Sequence, residues 1–464
     1  MNGYLRVSRK PRGACATSTL TIALALLTAA CSGNLPAGSA ASAPAPPGAL
    51  IDQPEPPSNL KVAPESDRVD LVMPTFSDPT TITNPLFPVS SLHSVVMVGE
   101  VDGQAFRTEI TLLPTTRVMT WEGLSVETAV SQYMAYLDGR LTEVAYDLYA
   151  QADDGSVWYF GEDVFNFSSG AIVNTHGSWL AGVDGPAAMI MPADPQVGDV
   201  YRPENIPGLV FEEVTVTEVD QAFDGPFGPV EGGITISELH MDGGTEGKQF
   251  APGYGEFYTD AGGDIEALAL AVPTDASTDP VPAELETLAT QAATLFDAVM
   301  ADDWEAASVA LDQMVAAWEA FPAGEIPVLI EPVMADALDA LASAVDARDG
   351  AEAAQAVVGV GQSTFDLQLR YRPPAEIDLA RAGLWSTRLM ADATAEDAEG
   401  VNDDGMALDY IRDRIASAVS EASSSEINTL LEELHVAVGE DDFGAVADLA
   451  EQLRQAFAEA APSA

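Results

Sequence analysis

Six side chains in one stretch of this chain combine an apolar wall with a few convergent polar groups, the two things a small-molecule pocket needs: Asp147, Gln151, Trp158, Tyr159, Glu162 and Trp179. The stretch is rich in rings. Nine aromatics fall between Tyr133 and Phe167, although aromatics make up only 7% of the chain. Strands this aromatic ordinarily build a core, so two readings stand side by side. One is a packed interior. The other is a concave surface on which Asp147, Gln151 and Glu162 orient a ligand among aromatic walls.

The signatures of common catalytic centres are missing. Beyond the N-terminal region the histidines are His93, His176, His240 and His435; no two stand at metal-ligand spacing, and there is no H-E-x-x-H. There is no G-x-S-x-G elbow, no G-x-x-x-x-G-K-S/T phosphate loop and no EF-hand spacing. Paired carboxylates need no sequence spacing, so a carboxylate-dependent hydrolase remains an alternative to a non-catalytic binding or scaffolding module. Metal handling is a further alternative, resting on Met189, Met191 and the His240-Met241 pair, although thioethers are usually core filler. No metal ligands and no cofactor are assigned.

Two hairpins must position the six residues. Asp138-Gly139 and Asp154-Gly155 suit two-residue turns that need positive φ, and the β-branched and aromatic residues between them suit a pleated surface. The wording from Asp147 to Glu162, D-L-Y-A-Q-A-D-D-G-S-V-W-Y-F-G-E, and from Gly177 to Gly185, G-S-W-L-A-G-V-D-G, resembles a family of bacterial secreted proteins and lipoproteins. Its members read roughly D-W-Y-A-Q-D-x-x-G-x-V-W-Y-F-G-E and G-S-W-x-A-G-V-D-G-A. Leu148 stands where that family has Trp. The resemblance implies an extracytoplasmic address and no particular reaction.

Charge and the N-terminus agree with such an address. The chain has 73 acidic and 19 basic residues among 464, a formal net charge of −54, and its only lysines are Lys10, Lys61 and Lys248. Nucleic acid is excluded as a partner, because gripping phosphates needs clustered Lys and Arg. High net charge chiefly governs solubility. Arg6, Arg9, Lys10 and Arg12 precede an apolar run, Ala16 to Ala30, which ends L-T-A-A-C at Cys31 like a bacterial lipobox. Residues 1–30 are expected to be a lipoprotein signal peptide and Cys31 the lipidated residue, which would anchor the protein to the cell envelope on its extracytoplasmic face. Cys15 and Cys31 are the only cysteines, so no internal disulfide is available once that leader is removed. Residues 31–68, rich in Pro and Ala, read as an extended tether.

The remainder reads as α+β. Residues 69–272 alternate with period two and are broken by Asp-Gly at 102, 138, 154, 184, 224 and 242. That predicts an antiparallel meander, open or half-barrel, of roughly ten to fourteen strands with one face buried and one wet. Residues 273–280 read as a linker, and residues 281–464 are Ala-rich with helical spacing. Asp303, Asp349, Asp397 and Asp442 recur at separations of 46, 48 and 45 residues, each suited to cap a helix after a tight turn. About eight helices in four hairpins follow, as a compact bundle or a short solenoid. Six arginines between Arg370 and Arg414 are expected either to pair locally or to dock the acidic sheet.

Overall fold

The computed structural model describes Pro46 and residues 48–460, so the expected leader and Cys31 lie outside the described residues. Fourteen strands come first: β1 (Ser94–Val101), β2 (Gln104–Trp121), β3 (Leu124–Leu137), β4 (Arg140–Gln151), β5 (Val157–Ser168), β6 (Ala171–Asn174), β7 (Trp179–Leu180), β8 (Ala188–Met191), β9 (Val200–Ile206), β10 (Val210–Gly225), β11 (Gly228–His240), β12 (Thr245–Ala251), β13 (Gly255–Ala261) and β14 (Asp264–Val272). Eight helices follow: α1 (Ala283–Met300), α2 (Trp304–Ala320), α3 (Ile330–Ala347), α4 (Gly350–Gln368), α5 (Pro374–Thr394), α6 (Ala398–Ile415), α7 (Glu421–Gly439) and α8 (Phe443–Glu459). The fold is α+β, an open antiparallel sheet ahead of an all-helical half, as the alternation and the composition shift predict.

In space the strands run β6-β5-β4-β3-β2-β1-β14-β13-β12-β11-β10-β9, with β7 and β8 paired to β5. Two meanders are thus joined where the first strand pairs with the last, Ser94 opposite Val272. Asp102-Gly103, Glu122-Gly123, Asp138-Gly139 and Ser169-Gly170 each place two consecutive residues at positive φ, the backbone that matches strand twist in a two-residue hairpin. Asp154-Gly155 differs: only Gly155 has positive φ, and five residues, 152–156, separate β4 from β5. Asp224-Gly225 differs as well: those residues end β10, paired with Pro229 and Gly228, and Pro226-Phe227 makes the turn.

Over β1 to β4 the alternation separates two covered environments rather than one buried and one wet face. Val96, Met134, Tyr136 and Val144 pack on helices. Val95, Met97, Tyr133, Ala145 and Asp147 face an interior cavity. Helices cover one side of this wall, and the curl of the sheet encloses the other.

The four helical hairpins are α1–α2, α3–α4, α5–α6 and α7–α8. Asp303, Asp349 and Asp442 cap α2, α4 and α8 by accepting from the backbone N–H three residues on, whereas Asp397 precedes α6 without that bond. The residue before each of these aspartates, Asp302, Arg348, Glu396 or Asp441, has a φ of 53–56° and ends the preceding helix in a left-handed turn. The helices pack in the orders α2-α1-α4-α3 and α6-α5-α8-α7, which makes two four-helix bundles in tandem rather than a solenoid.

Residues 273–280 are not a free spacer. Asp275 is buried and accepts from the Tyr254 hydroxyl and the Ala271 N–H, while Arg370 donates to its carbonyl. The arginines of α5 and α6 dock the sheet: Arg414 donates to Glu109 of β2 at 2.6 Å, and Arg388 to the Gly139 carbonyl at 2.6 Å. From β2, Arg107 grips Asp366 of α4 at 2.7 and 2.8 Å. The described residues belong to one compact unit, so the division into 69–272 and 281–464 is one of secondary structure rather than packing.

The tether is shorter than the expected 31–68. From Gly48 the chain lies against the sheet: Ile51 is buried, Ala63 N–H donates to Glu213 of β10, and Val69 N–H donates to the Val200 carbonyl of β9. Arg68, buried and paired with Asp70 at 2.6 Å, fixes this segment. It covers the free edge of β9, where unpaired backbone groups would otherwise template association.

Candidate functional site

Simple alternation along β4 puts Asp147 and Tyr149 on one face. On β5, Tyr159 and Glu162 are three residues apart and would point to opposite faces of a regular strand. The pairing slips between them: Tyr149 faces Tyr159 and Asp147 faces Glu162, so Phe160 and Gly161 together oppose Leu148. This β-bulge returns Glu162 to the face of Tyr159. Gly161 permits it with a φ of 116°, and a Cβ there would stand 2.1 Å from the Trp179 carbonyl oxygen.

These four side chains line a cavity of about 460 Å3. Its wall takes residues from β1 to β5 and from β8 to β14, so the sheet curls round it as a half-barrel. The seam between β5 and β9 is bridged by side chains. The Trp179 indole donates to Glu204 of β9 at 3.1 Å, and the Glu162 carboxyl faces that of Glu204 across the seam. Phe87, Pro88, Val89 and Leu92, from the segment ahead of β1, cover one end.

Nine carboxylates line this lumen against one ammonium, that of Lys248. At the β10–β12 end two cations sit among the acids, although burial still pushes Glu238 up to about 8 against the pull of Lys248. Lys248 Nζ lies 2.9 Å from Glu238 and 3.5 Å from Glu246, and His240 sits 3.3 Å from both Glu212 and Glu246. Hydrogen bonds to Glu212 and Glu246 push His240 up to about 10, so its imidazole is cationic. Burial works against the Lys248 ammonium, but Glu238, Glu256 and the other acids outweigh it and hold it charged. At the β4–β5–β9 end the acids are pushed upward with no cation beside them among the described residues. Burial, with Asp147 and Glu204 nearby, pushes Glu162 up to about 10; burial and Glu212 push Glu204 up to about 8; burial pushes Asp147 up to about 7 against the hydrogen bond it accepts from Tyr159 at 2.6 Å. Among the described residues no Arg, Lys or His forms an ion pair with any of these three.

The structure divides the six residues named from the sequence. Asp147, Tyr159 and Glu162 line the lumen together. Trp179 stands behind it, edge-on to Tyr159 at 5.4 Å between ring centroids and bonded to Glu204. Trp158 is core: it is 2% exposed, lies 5.9 Å from Trp121 between ring centroids, and its indole donates to Ser156. Alternation puts it on the face opposite Tyr159, so no regular strand could give both to one pocket. Gln151 touches no ligand space; its Oε1 accepts from the N–H groups of Thr83 and Asn84 at 2.7 and 2.8 Å and pins the segment that covers the lumen. Met189 and Met191 are buried core residues, and the Met241 sulfur accepts from Gly208 N–H.

The acids of the second meander, Glu204, Glu212, Glu238 and Glu246, were not found from sequence. Their one signal is that they fall in phase with apolar neighbours, as Ile236 and Glu238 do on β11, which is also how a wet face reads. Glu212, Glu238 and His240 offer donor atoms within 4.8 Å of one another, enough to meet a metal ion geometrically. Their charges are already engaged, by His240 itself and by Lys248. Comparisons of the chain with protein-family models, with curated proteins and with solved structures found no match.

Proposed function

We propose that this protein is a non-catalytic binding module of the cell envelope, anchored to the membrane through a lipidated Cys31, whose small ligand occupies the lumen of the half-barrel. One observation carries the binding reading: a concave space of about 460 Å3, open to solvent on part of its boundary, with aromatic walls and convergent polar groups, in the range of small-molecule sites. A two-carboxylate hydrolase needs one protonated acid beside an ionised one. Burial pushes Glu162 up to about 10 and Asp147 only to about 7, an unequal pair that keeps the hydrolase as the second reading. The anchor rests on the lipobox at Cys31 and on the Pro-rich residues after it.

Melting the purified protein against a panel of amines, sugars, lipids and organic acids tests the binding reading, since anything bound to the native state raises Tm. At least one class should raise Tm, and Ala145→Trp, which fills the lumen, should abolish that rise. A panel that shifts nothing overturns the reading. The anchor is tested separately: Cys31→Ala should move the protein from the membrane fraction to the supernatant. Retention on membranes after carbonate washing would count against lipidation.

A further inference from the structure

We infer that the lumen takes an organic cation carrying two or more amine groups, held by Asp147, Glu162 and Glu204 against the rings of Tyr149 and Tyr159. This rests on the lumen-binding reading and names its ligand class. Charge gives the first reason. Of the two ends of the lumen, the one at β10–β12 holds cations of its own, Lys248 and His240, within 3.5 Å of acids. The other end has three acids and no ion-pair partner among the described residues. Its place for positive charge is open, and the protons held there are what an incoming ammonium would replace.

The walls give the second reason. Tyr149 and Tyr159 stack at 4.9 Å between ring centroids, with Phe87 edge-on to Tyr149 at 5.1 Å. Aromatic faces beside carboxylates suit an alkylammonium, whose methylenes pack on the rings while the charge meets π-faces and oxygens. A hydrated metal ion gains little from such walls, and about 460 Å3 is far more room than a bare ion fills.

A third observation is independent of the acids. Tyr201 on β9, 1% exposed, lines the same lumen on the side of Glu238 and Lys248, within reach of the far end of a diamine, and its hydroxyl has no hydrogen-bond partner. Buried polar groups are nearly always satisfied, so an orphan on a cavity wall marks where a ligand donor or acceptor belongs.

Binding is coupled to protons. The groups facing the three acids are Glu143 and Tyr149 on β4, Tyr159 on β5, Trp179 on β7, Glu212 on β10 and Glu238 on β11. None of them brings a positive charge. A diamine entering as its dication drives the carboxyl protons out to buffer, one for each carboxylate formed, and no covalent bond changes. Affinity therefore rises with pH from about 6 to about 9 and falls only when the amines themselves lose protons, near their ordinary range of about 10.

Calorimetric titration of the purified protein with 1,4-diaminobutane, with spermidine, and with Mg2+, Ca2+ or Zn2+ alone tests this, each run in two buffers of different ionisation enthalpy. The amines should bind with release of about one to two protons per molecule. Glu162→Gln and, separately, Glu204→Gln should weaken them at least tenfold, with Tm no lower than that of the unmodified chain. If a metal ion alone binds and the amines do not, or if a neutral or anionic compound binds in a manner lost in Ala145→Trp while the amines do not, the amine inference is wrong and the lumen reading survives. If nothing binds in either experiment, both fail. Amine binding that persists undiminished in both glutamine variants would place the site elsewhere and overturn the inference.

Discussion

Buried acids occur in two regions of this molecule with opposite company. At the sheet–helix interface Glu109, Asp366 and Asp378 meet Arg107, Arg381 and Arg414, three charges against three, with contacts of 2.6 to 2.8 Å for the closest. In the lumen Asp147, Glu162 and Glu204 meet one another, tyrosines and a tryptophan. The first set has as many cations as acids, although Arg381 Nε and Arg414 Nη2 lack hydrogen-bond partners, and it fixes how two halves sit. The second is short of positive charge, and burial pushes its acids upward. A buried carboxylate is thus structural or receptive according to whether the chain supplies its partner.

The sharpest way to break this comparison is to remove one acid from each region. Glu109→Ala strands Arg381 and Arg414, both fully buried, beside a missing partner, and should cost about 3–5 kcal/mol of stability in urea unfolding. Glu162→Gln should leave stability unchanged or raise it, because it removes a group that the fold already prefers uncharged. Equal losses in the two variants would mean that both regions are structural.

The dependence on pH sharpens the contrast. Although burial opposes it, the ring of Arg381, Arg107 and Arg414 holds the Glu109 carboxylate well below its usual range. Its contribution is therefore present above about pH 4 and is lost as pH falls through the lowered value. The lumen acids do the reverse. The folded chain binds more protons there than the unfolded chain does, so stability falls as pH rises from about 4 towards the values near 7, 8 and 10 of Asp147, Glu204 and Glu162. Tm followed from about pH 5 to about pH 9 should decline. In the double variant Glu162→Gln and Glu204→Gln the decline should be visibly flatter, and an unchanged slope would mean that these acids are ionised in the fold.

The smallest expected effect concerns the cover. Gln151→Ala removes two hydrogen bonds to the segment over the lumen and should cost about 1 kcal/mol. It should also speed ligand dissociation in stopped-flow measurements, which no change at the ionic interface should do. A variant that melts lower without faster release would make Gln151 an ordinary turn residue.

Much of the fold was legible because it is written locally. Asp138-Gly139 carries its turn in two residues, and Asp303, Asp349 and Asp442 carry their caps in four. Half of the site was legible for the same reason: Asp147, Tyr159 and Glu162 lie within one hairpin. What stayed hidden depends on register and on distance along the chain. The bulge at Phe160 and Gly161 decides which face Glu162 takes, and only the curl of the sheet brings Glu204 to it. Trp158 was drawn into the site because it is adjacent in sequence, and it is excluded because adjacent residues on a strand face opposite ways. Gln151 shares the phase of Tyr149, but it lies at the end of its strand, where it meets a loop instead of the lumen.

The pairing of the first strand with the last has a consequence for how the chain reaches this shape. In a chain that emerges N-terminus first, the β1–β2–β3 meander can form early, yet Ser94 finds Val272 only after every other strand has been made. Until then β1 presents an open edge able to template wrong partners. Closing so long a loop precedes any reward from its contacts, whereas the helical hairpins draw on near neighbours. Completion of the sheet is therefore the step expected to be slowest, and the interval before it leaves β1 open to pairing with other copies of the chain.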